Sequence, residues 1–289
     1  MAPPKKVPNE WDPLTPQEAE VLRHCRQQLG KDLRGLPDDL VTMLVRGYAT
    51  EPDWKKASAT HMAETAEFRQ TAGAEKLLDP KNLPADREAF ERMWRTAIVG
   101  EDAAGHTVVY ESIGRIPIKE FGARFSGSKA KEELFLAHSA YNKEAMRRWN
   151  VKRSAQLGKR VYKMIVVLDL AGMTSGHVGG HFRELLKTYI SKFSNLYPES
   201  LYKLFVINAP LFFSGVWAMV KGFVHPVTRA KIHVNTDPKY ALQELKALGV
   251  KLDFDFKKVY EEAPPLSEVA KELQKLPPPF IPPGEDRGF

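Results

Sequence analysis

The chain has 289 residues, 43% of them hydrophobic, which is enough to bury a substantial core as one large domain or as a domain with a helical appendage. A single cysteine, Cys25, excludes an intramolecular disulfide and a cysteine-based zinc site, and fits a reducing compartment. The formal charge of +7 favours anionic partners (nucleic acid, an anionic membrane or a phosphorylated ligand), or belongs to solvated surface, because the lysines and arginines are scattered without a long basic run.

In chain order, residues 1–14 are rich in proline and have no periodicity, so a disordered leader is expected. MAPPKKVPNEW also lacks the apolar stretch of a signal peptide, which predicts a cytoplasmic protein. Thr15 with Glu18 has the form of a capping box, and Pro16 suits the first helical position, which predicts a helix over Thr15–Leu29. Pro37–Asp39 opens a second helix, Trp54–Thr71 reads as a third and Ala85–Thr96 as another amphipathic one. Together they form an N-terminal helical module over residues 15–96. Arg46, near the end of the second helix, either complements the helix macrodipole or faces a ligand.

Glu132–Trp149 predicts a long helix, with Leu134, Leu136, Ala140 and Tyr141 on its apolar face. Tyr162–Leu170 (YKMIVVLDL) is the strongest strand signal, a continuous apolar run suited to burial on both faces. A helix from about His181 to Phe193 and a strand at Lys203–Asn208 complete a βα unit in a sheet that is at least partly parallel. Leu211–Val224 follows, strongly apolar with Lys221 its one charge; at about 14 residues it is too short to span a bilayer, for which roughly 20 are needed. It is either a buried helix or a cover over something apolar, and Gly215 and Gly222 stand where hinges would. Pro226 ends it, Lys231–Val234 resumes as strand, and Tyr240–Leu248 is a short helix. Residues 257–289 form a proline-rich tail around a helix at Leu266–Leu276, either wrapping the surface or disordered.

Catalytic signatures are absent from the sequence: there is no G-x-S-x-G, H-E-x-x-H or Walker A, and GARFSGSK (Gly122–Lys129) reverses the last pair of the latter. Gly176, Gly179 and Gly180 follow a strand and open a helix, yet lack the dinucleotide spacing. His177 and His181 stand four apart with no carboxylate between them in the metalloprotease arrangement, so capping or surface roles are expected and no metal is predicted. Glu199, Thr228 and Lys231 offer a carboxylate, a hydroxyl and an ammonium at the edges of neighbouring strands, which suits a polyol phosphate. The alternative is a Glu199–Lys231 surface pair worth little.

NLYPESLYKLFVINAP followed by HPVTRAKI resembles the core signature of the CRAL-TRIO lipid-binding family, in which YPE leads into a strand ending in NAP, then a gating helix, then PVT-x-x-K-I. Asp102–Tyr110 resembles the family's turn-then-strand entry, with His106 and Thr107 where arginine and proline are usual. The resemblance implies an α/β fold: the helical module, then a mixed, largely parallel sheet over residues 97–256 with helices on one side enclosing an apolar lipid cavity. It implies headgroup contacts from Glu199, Thr228 and Lys231, joined by Arg46, and an acyl-lining gate of Phe212, Phe213, Val216, Trp217, Val220 and Phe223. The implied function is binding of one phospholipid, phosphatidylinositol foremost, and its transfer between membranes. The protein is then expected to be no enzyme, to have no cofactor besides bound lipid, to touch anionic membranes peripherally, to bind no nucleic acid and to be a monomer. Ser200 replaces the arginine that follows YPE in related sequences, and Met164–Leu168 is apolar where serine and threonine would serve phosphatidylcholine, whose buried headgroup would lack partners. Other readings are a carrier of a retinoid, tocopherol or sterol, or an interaction module with a vestigial pocket.

Overall fold

The computed structural model describes residues 9–222, 224–251 and 255–287. The capping box opens the first helix: the Thr15 hydroxyl accepts the Glu18 amide at 3.2 Å and the Glu18 carboxylate accepts the Thr15 amide at 2.7 Å. This helix, α1 (Pro16–Leu29), packs with α2 (Asp38–Gly47) and α3 (Trp54–Thr71) around Leu22, Cys25, Leu44, Val45 and Met62. Burial pushes the Cys25 thiol up to about 11.

The next helix, α4 (Arg87–Met93), is shorter than expected, because the β-branched Thr96, Ile98 and Val99 leave it for a strand, β1 (Arg95–Glu101). It pairs antiparallel with β2 (Thr107–Ser112) across a turn in which the Asp102 carboxylate accepts the amides of Ala104 at 2.9 Å and His106 at 2.8 Å. Then follow α5 (Ile118–Phe125), α6 (Lys129–Leu157), β3 (Met164–Asp169), α7 (Gly180–Leu196), β4 (Leu201–Ile207), α8 (Phe213–Val220), α9 (Pro226–Arg229) and β5 (Ile232–Val234). The chain continues through α10 (Pro238–Ala247), α11 (Phe256–Glu262) and α12 (Leu266–Lys271). The apolar helix expected over Leu211–Val224 is thus confined to α8, and Pro226, read as its stop, begins the separate turn α9.

The sheet runs β1-β2-β3-β4-β5, antiparallel at the first pair and parallel at the other three. Tyr110, Val167 and Phe205 stand in register on one face, under Ala241 and Leu245 of α10 and Phe256 and Val259 of α11. Helices therefore cover both faces, where one was expected. Val109, Val166, Leu204 and Ile232 share the other face with Leu168 and Val206, beneath α6, α7 and α8. On that inner face Val166 and Leu168 of the central strand, and Leu204 beside them, are only half-buried. A central parallel strand is ordinarily covered on both sides, so this face keeps open apolar surface.

Two sets of buried charges tie the helical module to the sheet domain. Glu144 of α6 is fully buried and accepts Arg69 of α3 at 2.8 Å, Arg147 at 2.7 Å and Arg148 at 3.0 Å, while Arg147 also holds Asp39 of α2 at 2.7 Å. The second set uses the two ends of the described chain. Residues 9–14, expected as part of a disordered leader, pack instead: the Glu10 carboxylate accepts the amide of Lys163 at 2.9 Å, and Arg160 donates to the Glu10 carbonyl at 2.8 Å and to Glu285 at 2.7 Å. Arg287 closes on Asp38 at 2.7 Å. Residues 1–8 of that leader lie outside the described residues. The tail wraps rather than dangling.

Candidate lipid-binding site

Because β3, β4 and β5 are adjacent and parallel, the residues preceding each strand lie at the same end of the sheet, with β5 beginning opposite Leu204 of β4. Those residues are Lys163, the Glu199–Ser200 pair and Lys231. The Met164 amide bonds the Ser200 carbonyl at 2.9 Å, and the Leu204 amide bonds the Lys231 carbonyl at 2.9 Å, which fixes the three backbones. Glu199 sits at φ 56, a left-handed conformation that presents its side chain between the two lysines. Its Oε2 lies 3.1 Å from Lys163 Nζ and 3.5 Å from Lys231 Nζ. Burial pushes the Glu199 carboxyl up, but the two ammonium groups outweigh it and hold the group below its usual range. At Lys231 burial wins over Glu199, and the ammonium falls below its ordinary value. Glu10 is a second carboxylate acting on both lysines, and the two ammonium groups beside Glu199 suit an anion that also carries hydroxyls.

The expected Glu199 and Lys231 thus come together. Thr228 is one turn away on α9, half-buried, its carbonyl accepting the Lys231 amide at 3.0 Å. Arg46 is placed elsewhere. Its guanidinium is buried and donates to Glu18 at 3.0 Å, to the carbonyls of Asn9, Glu10, Asp12 and Pro13, and to the Tyr162 hydroxyl at 3.4 Å. Those contacts pin the 9–13 segment and leave it no group for a headgroup. Lys163 was not singled out in the sequence. Its residue type carries no signal inside YKMIVVLDL, and only the strand order reveals that it meets Glu199 more closely than Lys231 does.

The gate residues divide. Phe213 is buried against Phe182, Leu185 and Val206, and Val216 and Trp217 pack half-buried on the same cluster. Val220 is half-buried, while Phe212 is 44% and its neighbour Leu211 94% exposed, so these two face outward rather than lining acyl chains. Phe223 lies outside the described residues. His177 caps a short turn, its Nδ1 accepting the Thr174 amide at 3.1 Å. Among the described residues no group of three or more His, Cys, Asp or Glu could hold a metal ion, and no helix is long and apolar enough to cross a membrane. A separate cleft of about 700 Å³ lies between α4 and α12, lined by the charged Arg87, Glu91, Arg95 and Lys271 and by Leu78, Leu83, Tyr141 and Tyr260.

A family model described as the CRAL/TRIO domain matches residues 91–247, more than half of the chain. The chain belongs to the CRAL/TRIO domain family. Within it, this chain is similar to a CRAL-TRIO domain-containing protein of Saccharomyces cerevisiae, 25% identical over 238 residues, covering 80% of this chain and 74% of that protein. It is also similar to a phosphatidylinositol/phosphatidylcholine transfer protein of Arabidopsis thaliana, 24% identical over 245 residues, covering 84% of this chain and 41% of that one. The chain thus spans less than half the length of the plant relative. The crystal structure of Sfh5 shares the fold, with a TM-score of 0.56 and 20% identity, over 72% of this chain and 68% of the other. The CRAL/TRIO fold expected from the NAP and PVT segments, a mixed and mostly parallel sheet with an N-terminal helical module, is the one found.

Proposed function

We propose that this CRAL/TRIO chain binds one phospholipid, phosphatidylinositol, and carries it between membranes without catalysing a reaction. The observation that supports this best is the Glu199 carboxylate held between Lys163 at 3.1 Å and Lys231 at 3.5 Å, at the rim of an open apolar sheet face. An inositol phosphate needs both halves of that arrangement. The ammonium groups neutralise the phosphate and the carboxylate accepts ring hydroxyls, while the acyl chains cover Val166, Leu168 and Leu204. In this reading α8 is the movable cover. The outward Leu211 and Phe212 enter the membrane interface, and the net positive charge draws the protein peripherally to anionic leaflets.

The test is transfer of phosphatidylinositol between liposomes by a Glu199→Val, Lys231→Ala double variant. Loss of transfer with an unchanged unfolding temperature is the expected result, and wild-type transfer overturns the headgroup assignment. A second reading, a carrier of a neutral lipid such as a sterol, retinoid or tocopherol, is favoured by one feature: Met164, Val166 and Leu168 offer no hydroxyl on the inner face of β3. Organic extraction of the purified protein followed by lipid identification separates the two.

A further inference from the structure

Four polar or aromatic side chains apart from the Glu199 cluster converge on the inner face. Glu111 of β2 stands in register with Leu168, and its Oε2 accepts the Trp94 indole N–H at 3.3 Å. Lys143 comes from α6, on the same stripe as Leu136 and Ala140, which both belong to the inner apolar clusters. Its ammonium lies 5.2 Å from the ring centroid of Tyr189 on α7, and the Tyr189 and Trp94 rings are 5.8 Å apart. Glu111 attracts Lys143, yet among the described residues no carboxylate forms an ion pair with it.

An ammonium turned into an apolar interior is costly unless an anion completes it. Lys143, Tyr189, Leu136 and Leu168 all remain half-buried although they face inward, so there is room beside the charge. We propose that this interior also takes a long-chain fatty acid, carboxylate inward on the Lys143 ammonium beside the Tyr189 phenol and Glu111, with the chain along Val166, Leu168 and Trp217. The proposal rests on the reading of the fold as lipid-binding, but not on the Glu199 cluster. Burial raises the Glu111 carboxyl above its usual range, and its Oε2 is already engaged by the Trp94 indole N–H. Burial pulls Lys143 down, but Tyr189 and Glu111 outweigh it and keep the group cationic. A single cation matches a monoanion, whereas an inositol phosphate would bring several hydroxyls into walls that offer few partners.

The test titrates the lipid-stripped full chain with cis-parinaric acid and with its methyl ester, following ligand fluorescence. The acid is expected to bind the wild type about tenfold more tightly than the ester or better, the scale of one charge-assisted contact. Lys143→Met is expected to erase the preference and Lys143→Arg to retain it. Equal wild-type affinity for acid and ester overturns the proposal, as does a preference that survives in Lys143→Met; should Lys143→Met fail to fold, the wild-type ratio and Lys143→Arg decide. Phosphatidylinositol transfer by Lys143→Arg, measured in parallel, tells failure of this site from failure of the transfer reading: loss of acid preference with transfer intact sinks only the fatty-acid site.

Discussion

Gly47 lies flat against Pro198: a Cβ built on Gly47 would stand 2.4 Å from the Pro198 Cβ. The last residue of α2 therefore touches the turn that presents Glu199, and the helical module buttresses the sheet edge that carries it. Gly47→Ala is expected to push the two apart, lowering stability by about 1–3 kcal/mol in urea unfolding and weakening phosphatidylinositol binding with it. Gly215→Ala, where an added Cβ meets nothing within 4 Å, is the control, expected to stabilise by up to about 1 kcal/mol through helix propensity.

Lys163 is expected to matter as much as Lys231. Lys163→Ala should slow phosphatidylinositol transfer about tenfold, the scale of a charge-assisted contact, with the unfolding temperature little changed. Wild-type transfer by that variant would assign the phosphate to Lys231 alone.

The contrast between these lysines shows what the sequence could and could not say. Thr15, Glu18 and Pro16 announced α1 because a capping box is local, and Trp54–Thr71 and the apolar run of β3 were legible for the same reason. Lys163 was not, because its nearness to Glu199 depends on β3 pairing parallel with β4, Met164 opposite Leu201. Arg46 was misleading from the opposite direction: its partners are mostly backbone carbonyls of residues 9–13, and carbonyls leave no residue-type signature. The strand β1 was hidden behind a helical pattern that runs into it. The second helical cover, α10 with α11, follows the last strand, and its packing on the far sheet face has no local mark.

Leu211 and Phe212 form an outward apolar step beside α8. Leu211→Ser with Phe212→Ser is expected to weaken binding to anionic vesicles at least tenfold, since immersing either side chain is worth about 1.5–3 kcal/mol. Flotation with vesicles measures this, and unfolding in urea should be unaltered.

Acid should unfold the protein in two stages. His138 is buried, stacked on Phe90 at 4.3 Å, and burial together with nearby Arg87 pulls its pKa down to about 3. The folded chain keeps it neutral while the unfolded chain protonates it near 6.5, so stability is full above roughly pH 6.5 and falls as the pH drops towards 3. Glu144 follows: burial raises it, but Arg147 and Arg69 outweigh burial and hold it far below the usual range. Its contribution is present above roughly pH 4.3 and is lost as the pH falls through its lower folded value. His138→Phe is expected to flatten the stability profile between about pH 6.5 and 4.5, as read by urea titrations at stepped pH. Glu144→Gln should cost about 3–5 kcal/mol at pH 7, because it strands buried arginines.

Strand order in the sheet equals order in the chain. A nascent polypeptide can thus add each strand to a neighbour already in place, with no strand waiting for one not yet made. The links from Arg160 to Glu285 and from Arg287 to Asp38 obey the opposite schedule, since Asp38 of α2 and Arg160 before β3 must wait for residues 285–287. Vectorial growth can therefore complete the sheet before the latch that fastens the helical module, which waits for residues 285–287 to leave the ribosome.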